Sequence, residues 1–331
     1  MDLAKNVFQV HGVDTSGAVV VRKAVRRVQV LRFFEALPRC LVGMEACATA
    51  HYWARAIAAL GHEVRLMPPQ YVKAYVKRNK NDAADAEAIC EAVRRPSMRF
   101  VPVKSAEQQA VLTMHRAREL LIRQRTMLVN ALRAHLAEFG IVVAQGIHQV
   151  CDLVAIVADE GDERVPAIAR GVLRVVADQI AVLQTGIADI DRRILAWHRS
   201  SEVSLRLAGM PGVGPIVASA IASSVPDASV FRSGREFAAW LGLVPKQSGI
   251  GGKTWLGRIS KRGDGYLRRL LVTGALTALT RSKAVKAMPW IIGMKARTKR
   301  PMVIAVALAN KMARTAWAMM VRATAYRASA A

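Results

Sequence analysis

The first hundred residues switch repeatedly between alternating and helical hydrophobic periods. Val7 to Val13 alternates apolar and polar side chains and predicts a strand, Asp14-Thr15-Ser16-Gly17 a turn, and Ala18 to Val25 its hairpin partner. Val28 to Leu37 reads as a helix ended by Pro38, and Cys40 to Met44 as a short buried strand. A helix from Thr49 to Leu60, a strand from Glu63 to Met67 before Pro68-Pro69, and helices over Tyr71–Arg78 and Asp82–Arg94 complete the segment. Two antiparallel strands followed by strand–helix units predict a mixed sheet covered by helices.

The pattern then becomes helical and Arg-rich from Ala106 to Phe139, with Leu112, Leu120, Leu121, Leu128 and Leu132 as an apolar seam. A second helix is predicted from Ile168 to His198, along Val172, Val175, Val176, Ile180, Leu183, Ile187, Ile190 and Ile194. Between them lies a less regular stretch with Gly140, Gly146 and the acidic Asp159-Glu160-Gly161-Asp162-Glu163 turn. Two readings fit: an antiparallel arm that dimerises as a coiled coil, or a helical subdomain packed on its own core.

Composition adds a partner. The chain has 331 residues, 53% of them apolar, which is enough for real cores and excludes wholesale disorder. Its net charge is +25 and its isoelectric point near 11.0, so a polyanion is the expected partner. The charge is uneven: residues 201–331 hold 21 of the 49 basic side chains and four of the 24 acidic ones, with no carboxylate side chain after Asp264. Phosphate binding is therefore expected chiefly in the C-terminal part, and acid chemistry earlier. Cys40, Cys47, Cys90 and Cys151 lack metal-ligand spacing and read as thiols of a reducing cytosol. Lys311 and Arg314 interrupt the apolar stretch Met302–Val321, and Asp2, Lys5 and Asn6 stand where a leader would carry its basic start and apolar run. A cytoplasmic protein without a membrane span is the expectation.

Three motifs carry candidate chemistry. Asp2, Glu45, Asp82 and Asp85 are placed to converge at one end of the sheet if the strands of Asp2 and Glu45 are neighbours, because Asp82 and Asp85 share a helical face. Such a cluster suits Mg²⁺, and paired metals serve phosphoryl transfer; each acid alone also reads as a helix cap or dipole partner. Pro211-Gly212-Val213-Gly214 between two small-residue helices suggests a helix–hairpin–helix element, whose glycines let backbone N–H groups approach phosphate; a tight interhelical turn is the plain alternative. Gly-rich backbone around Ser248, with Lys253, Arg258, Lys261 and Arg262, suits a close-lying anionic strand. Ser248, at the expected flexible centre, is either a turn residue or a nucleophile toward phosphorus.

Together, Asp2-Leu3-Ala4-Lys5, Met44-Glu45-Ala46, Asn81-Asp82-Ala83-Ala84-Asp85-Ala86, the Pro-Gly-Val-Gly element, Ser248-Gly249 and Arg258-Ile259-Ser260-Lys261-Arg262-Gly263 resemble bacterial insertion-sequence transposases of the "one-ten" family, the DEDD or bridge-RNA-guided recombinases. The resemblance spans nearly the whole chain. It implies a RuvC-like (RNase H fold) α/β domain over 1–100, a helical coiled-coil arm over 101–200, and a mainly α C-terminal transposase domain over 201–331. It places the Mg²⁺-binding acidic tetrad on Asp2, Glu45, Asp82 and Asp85, and the nucleophile, which forms a transient covalent link to DNA, on Ser248. It also implies dimers and tetramers with sites shared between subunits, and a structured RNA that specifies donor and target DNA. Family members carry residues ahead of the first Asp that complete its strand. With Asp2 directly after Met1, a frayed metal ligand and weak Mg²⁺ binding are expected.

Two other readings stay open: a RuvC-like junction nuclease using metal-activated water, and a non-catalytic nucleic-acid-binding protein. Arg123, Arg125, Arg268, Arg269, Lys299 and Arg300 are further candidates for nucleic-acid contact or for an ordinary solvated face.

Overall fold

The computed structural model describes residues 1–76, 81–144, 146, 149–298 and 300–327. The chain divides into two compact units: Met1–Gln109 with Ser223–Val230, and Ala110–Ala222 with Phe231–Ala331.

The first unit is mixed α/β. Strands β1 (Val7–Val13) and β2 (Val19–Arg26) form an antiparallel hairpin, and β3 (Leu41–Glu45) and β4 (Glu63–Met67) a parallel pair. Asp14 caps the hairpin turn by accepting from the amides of Ser16 and Ala18, both at 2.9 Å. Helices α1 (Val30–Glu35), α2 (Ala50–Ala58), α3 (Pro69–Val72) and α4 (Asp82–Val93) accompany them. The expected single mixed sheet is, among the described residues, two separate two-stranded ladders. Met1 and Asp2 link them: Asp2 bridges Gln9 of β1, and the Met1 amino group donates to the Gly43 carbonyl of β3 at 2.9 Å. One core holds the unit together, with Phe8, Val10, Phe34, Val42, Met44, Trp53, Ile57 and Leu66 buried across both ladders and the helices. A second cluster of Met67, Val72, Ile89, Ala92 and Val93 seats α4. The expected helix over Tyr71–Arg78 is shorter: α3 passes into a tight turn over 73–75, and Arg78 lies outside the described residues.

The second unit is almost wholly helical. Long helices α5 (Ala106–Ala137, its first residues in the other unit) and α7 (Ala167–Ser200) flank α6 (Val150–Ala158), which occupies part of the stretch expected to be irregular. The reason is local: Val150, Leu153 and Val157 recur at helical spacing and bury against Leu132, Leu136, Leu173 and Ile180. These three helices therefore share a core of their own at this end. Val172 and Val175, assigned to the α7 seam from sequence, are 66% and 62% exposed; Leu173 and Ala177 take the buried positions instead. By length and composition α7 is apolar enough to cross a membrane. Helices α8 (Glu202–Ala208), α9 (Pro215–Ser224) and α10 (Gly234–Trp240) follow, then the antiparallel hairpin of β5 (Pro245–Ile250) and β6 (Lys253–Ile259). Helices α11 (Gly265–Arg281), α12 (Lys283–Lys286), α13 (Pro289–Arg297) and α14 (Pro301–Arg322) end the chain.

Candidate metal centre and serine hairpin

Helix α4 starts because Asn81 caps it, its side-chain oxygen accepting from the Ala84 amide at 2.8 Å. That cap sets Asp82 and Asp85 in the first turn, where the helix dipole favours carboxylates. The helix lies close on the sheet: a Cβ on Gly43 would come within 2.8 Å of the Val93 side chain, so β3 accepts α4 only with glycine at that position. Asp2 comes from the other direction. Its amide donates to the Gln9 carbonyl at 2.8 Å, and Met1 ahead of it is 4% exposed. The first residues are therefore pinned, and the frayed end expected from sequence is not what the structure has.

The result is a close trio. Ligand oxygens of Asp2, Asp82 and Asp85 all lie within 4.8 Å of one another. Asp2 is half-buried, and desolvation first, then the charges of Asp85 and Asp82, raise its carboxyl above the usual range. Burial draws the Met1 ammonium down to about 6. Glu45 is outside the trio. It closes β3 two residues beyond Gly43, and its field reaches the same place: burial, then the carboxylates of Glu45 and Asp2, push the Cys47 thiol up. Cys47 is a site neighbour that sequence reading missed, and its position two residues after Glu45 was the available signal. All four cysteines are free thiols.

The C-terminal motifs divide differently. The Pro-Gly-Val-Gly element does join two helices, α8 and α9. Gly212, with φ +85°, packs inward: a Cβ there would fall on the Gly274 carbonyl of α11, and the reverse holds for Gly274. Gly214 faces open space. Ser248 is on a paired strand, opposite Trp255 of β6, rather than at a flexible loop centre. Both strands are exposed throughout apart from partly covered Ile259, so Ser248, Lys253 and Arg258 all face solvent. The hairpin foot is tightly held: Ser260 donates to Val244 at 2.8 Å and Lys261 to Gly242 at 3.1 Å. Exposed Lys261 and Arg262 follow, Lys261 in a left-handed conformation with φ 53°.

Of the other basic candidates, Arg268 donates to the Leu241 carbonyl at 3.0 Å and Arg269 pairs with Glu119 at 2.7 Å, so both have internal work. Arg123 and Arg300 are exposed, Arg125 is partly covered, and Lys299 lies outside the described residues.

An N-terminal α/β unit that gathers carboxylates, followed by a basic helical unit, matches known proteins along its length. Residues 1–141 match the DEDD transposase family of IS110 type, and residues 204–288 the "Transposase IS116/IS110/IS902 family". These matches define the class, a transposase, which acts on DNA by cutting and rejoining it. Among relatives, a "Probable family 20 transposase" of Pseudomonas aeruginosa is 52% identical, over 99% of this chain and 97% of its own length. The "Transposase for insertion sequence element IS1328" of Yersinia enterocolitica is 40% identical over 98% and 97%, and that for IS1111A of Coxiella burnetii 38% over 100% and 91%. The chain belongs to the IS110/IS116/IS902 family of insertion-sequence transposases, whose work is DNA transposition and recombination.

Proposed function

We propose that this transposase uses two chemical devices: a Mg²⁺ site on Asp2, Asp82, Asp85 and Glu45, and a nucleophilic serine, Ser248. The carrying observation is the convergence of Asp2, Asp82 and Asp85 within 4.8 Å, where burial and like charge already disfavour an ionised Asp2. A hard cation offsets that repulsion, and an all-oxygen donor set fits Mg²⁺. Bound there, Mg²⁺ supplies charge neutralisation and polarisation of a phosphate oxygen. Glu45 joins the set through the family resemblance and through its field at Cys47.

Ser248 Oγ is exposed, and Lys253 and Arg258 on the partner strand offer phosphate contacts. In the proposed step Oγ bonds to a DNA phosphorus and loses its proton to solvent. The bond from phosphorus to one sugar oxygen breaks, and that oxygen takes up a proton. A sugar hydroxyl attacking the phosphoserine rejoins DNA and restores the serine. We assign residues 1–100 to a RuvC-like, RNase H-type catalytic domain, 101–200 to the arm and 201–331 to the serine-bearing domain. We further assign a structured RNA as guide, self-association as dimer or tetramer, and the bacterial cytoplasm as the place of action. An unpartnered apolar stripe on α7 supports self-association: Ile168, Val172, Val175 and Val182 are each more than 60% exposed at helical spacing.

The test is a covalent trap with labelled donor and target DNA, element RNA and Mg²⁺, resolved on a denaturing protein gel. A labelled protein–DNA band lost in Ser248→Ala, with cutting abolished by Asp82→Asn and Asp85→Asn while DNA binding persists, is the expected result. Continued cutting by Ser248→Ala without any covalent band would replace the serine with metal-activated water.

A further inference from the structure

The C-terminal helices border an open cleft that neither the acids nor Ser248 lines. Its volume is about 780 Å³, within the range of ligand sites, and it opens between the start of α10, α13 and α14. Its walls are fixed by close contact: a Cβ on Gly234 of α10 would come within 2.9 Å of the Arg314 carbonyl, so α10 rests directly on the α14 backbone. That approach brings exposed Arg235 and Arg314 to one cleft, with Lys311 beside them. Among the described residues no carboxylate lines it.

Two indoles, Trp290 and Trp317, complete the lining. The Lys311 ammonium sits 5.1 Å from the Trp290 ring centre and ties α14 to α13. Trp290 Nε1 is buried and has no hydrogen-bond partner among the described residues. A ligand that fits this lining carries an anion for three cations and a flat ring for two indoles. Inorganic phosphate lacks the ring. A nucleotide has both. A paired base reaches such a cleft only by leaving its stack, whereas an unpaired one enters freely.

We propose that this cleft holds one unpaired nucleotide of a nucleic-acid strand, its phosphate toward Arg235 and Arg314 and its base against the indoles. The proposal deepens the nucleic-acid side of the reading above but needs neither the metal nor Ser248. The full-length Ser248→Ala chain is therefore a suitable host for its test. Fluorescence anisotropy would compare labelled oligo(dT), oligo(U), an abasic strand of equal length and a blunt duplex.

In that host, Trp290→Ala is expected to weaken oligo(dT) or oligo(U) binding about tenfold, the scale of one lost base–aromatic stack, and leave duplex and abasic strand within about twofold. Trp290→Phe keeps a smaller ring, so a loss smaller than that of the alanine variant is expected, and it serves if the alanine variant melts early. Preference for oligo(U) identifies RNA as the source of the nucleotide, and preference for oligo(dT) identifies DNA. Equal weakening of all four probes would reduce the cleft to general electrostatics, and unchanged binding of every probe would remove it as a site; either result overturns the proposal.

Discussion

His115, 1% exposed, has both ring nitrogens engaged: Nδ1 lies 2.8 Å from the Tyr266 hydroxyl and Nε2 3.1 Å from Ser219 Oγ. Ser219 gives its own proton to the Pro215 carbonyl at 2.6 Å, so Nε2 donates to Ser219 and Tyr266 donates to Nδ1. The ring is neutral. Burial, then the Arg118 charge, lowers it to about 4, while burial pushes the Tyr266 phenol up to about 12. Between the ordinary histidine value and about 4 the unfolded chain binds the extra proton, so stability falls as pH drops through that window. Above the ordinary tyrosine value the unfolded chain ionises first, and stability falls as pH rises toward about 12. Denaturant titrations at pH 7 and pH 4.5 should therefore differ, and His115→Leu should flatten the acid limb by about 2 kcal/mol while lowering stability at neutral pH. Gly212 offers a second test. Gly212→Ala meets the Gly274 carbonyl at positive φ and should cost about 3 kcal/mol in chemical denaturation, whereas Gly214→Ala, in open space, should cost less than about 1.

At the scale of elements, the junction of α6 with α7 depends on a buried cation. Arg170 of α7 is 9% exposed and donates to the carbonyls of Ile156 and Val157 at 3.3 and 3.4 Å, of Val165 at 3.1 Å, and of Asp159 and Asp162. It thereby gathers the end of α6 and the acidic turn onto α7. Arg170→Met keeps the apolar stem and strands those carbonyls, so a loss of about 3 kcal/mol is expected, with earlier proteolysis in residues 150–165 as the local readout. The other face of α7 tests assembly. Val172→Glu with Val175→Glu places two charges on the exposed stripe and should lower the mass seen by sedimentation, with the melting temperature preserved because neither residue is in the core. An unchanged mass would leave the stripe without its assigned role.

For the whole molecule, charge dominates. A net +25, with few acids in the C-terminal part, predicts DNA binding that collapses with salt: the slope of log affinity against log salt should be about −4 or steeper. Reversing Lys253, Arg258, Lys261 and Arg262 together should make that slope shallower, since all four are exposed at the serine hairpin. A slope unchanged in this variant would place the phosphate contacts elsewhere on the surface.

Much of this molecule was written in local pattern. The strands Val7–Val13 and Glu63–Met67, the helix from Asp82 and both long helices follow from periods that act over a few residues, and structure and sequence agree on them nearly to the residue. Local pattern also explains why Asp82 and Asp85 share a face. Tertiary contact decided the rest. Asp2 meets those acids only because residues 1 and 2 pair with Gln9 and Gly43, which no spacing reveals. Ser248 lies on a strand because a partner seven residues away supplies its ladder, and Gly212 serves packing because Gly274, far along the chain, approaches it. The Trp290–Arg314 cleft shows the same division. Its walls come from α10, α13 and α14, and it exists because glycine lets two helix backbones touch. Sequence alone determined the elements whose period or cap is local, such as β1, β4, α4 and the two long helices, since those forces are short-ranged; the β5–β6 ladder, the pairing of strands and which side chains share a site were left to packing between distant segments.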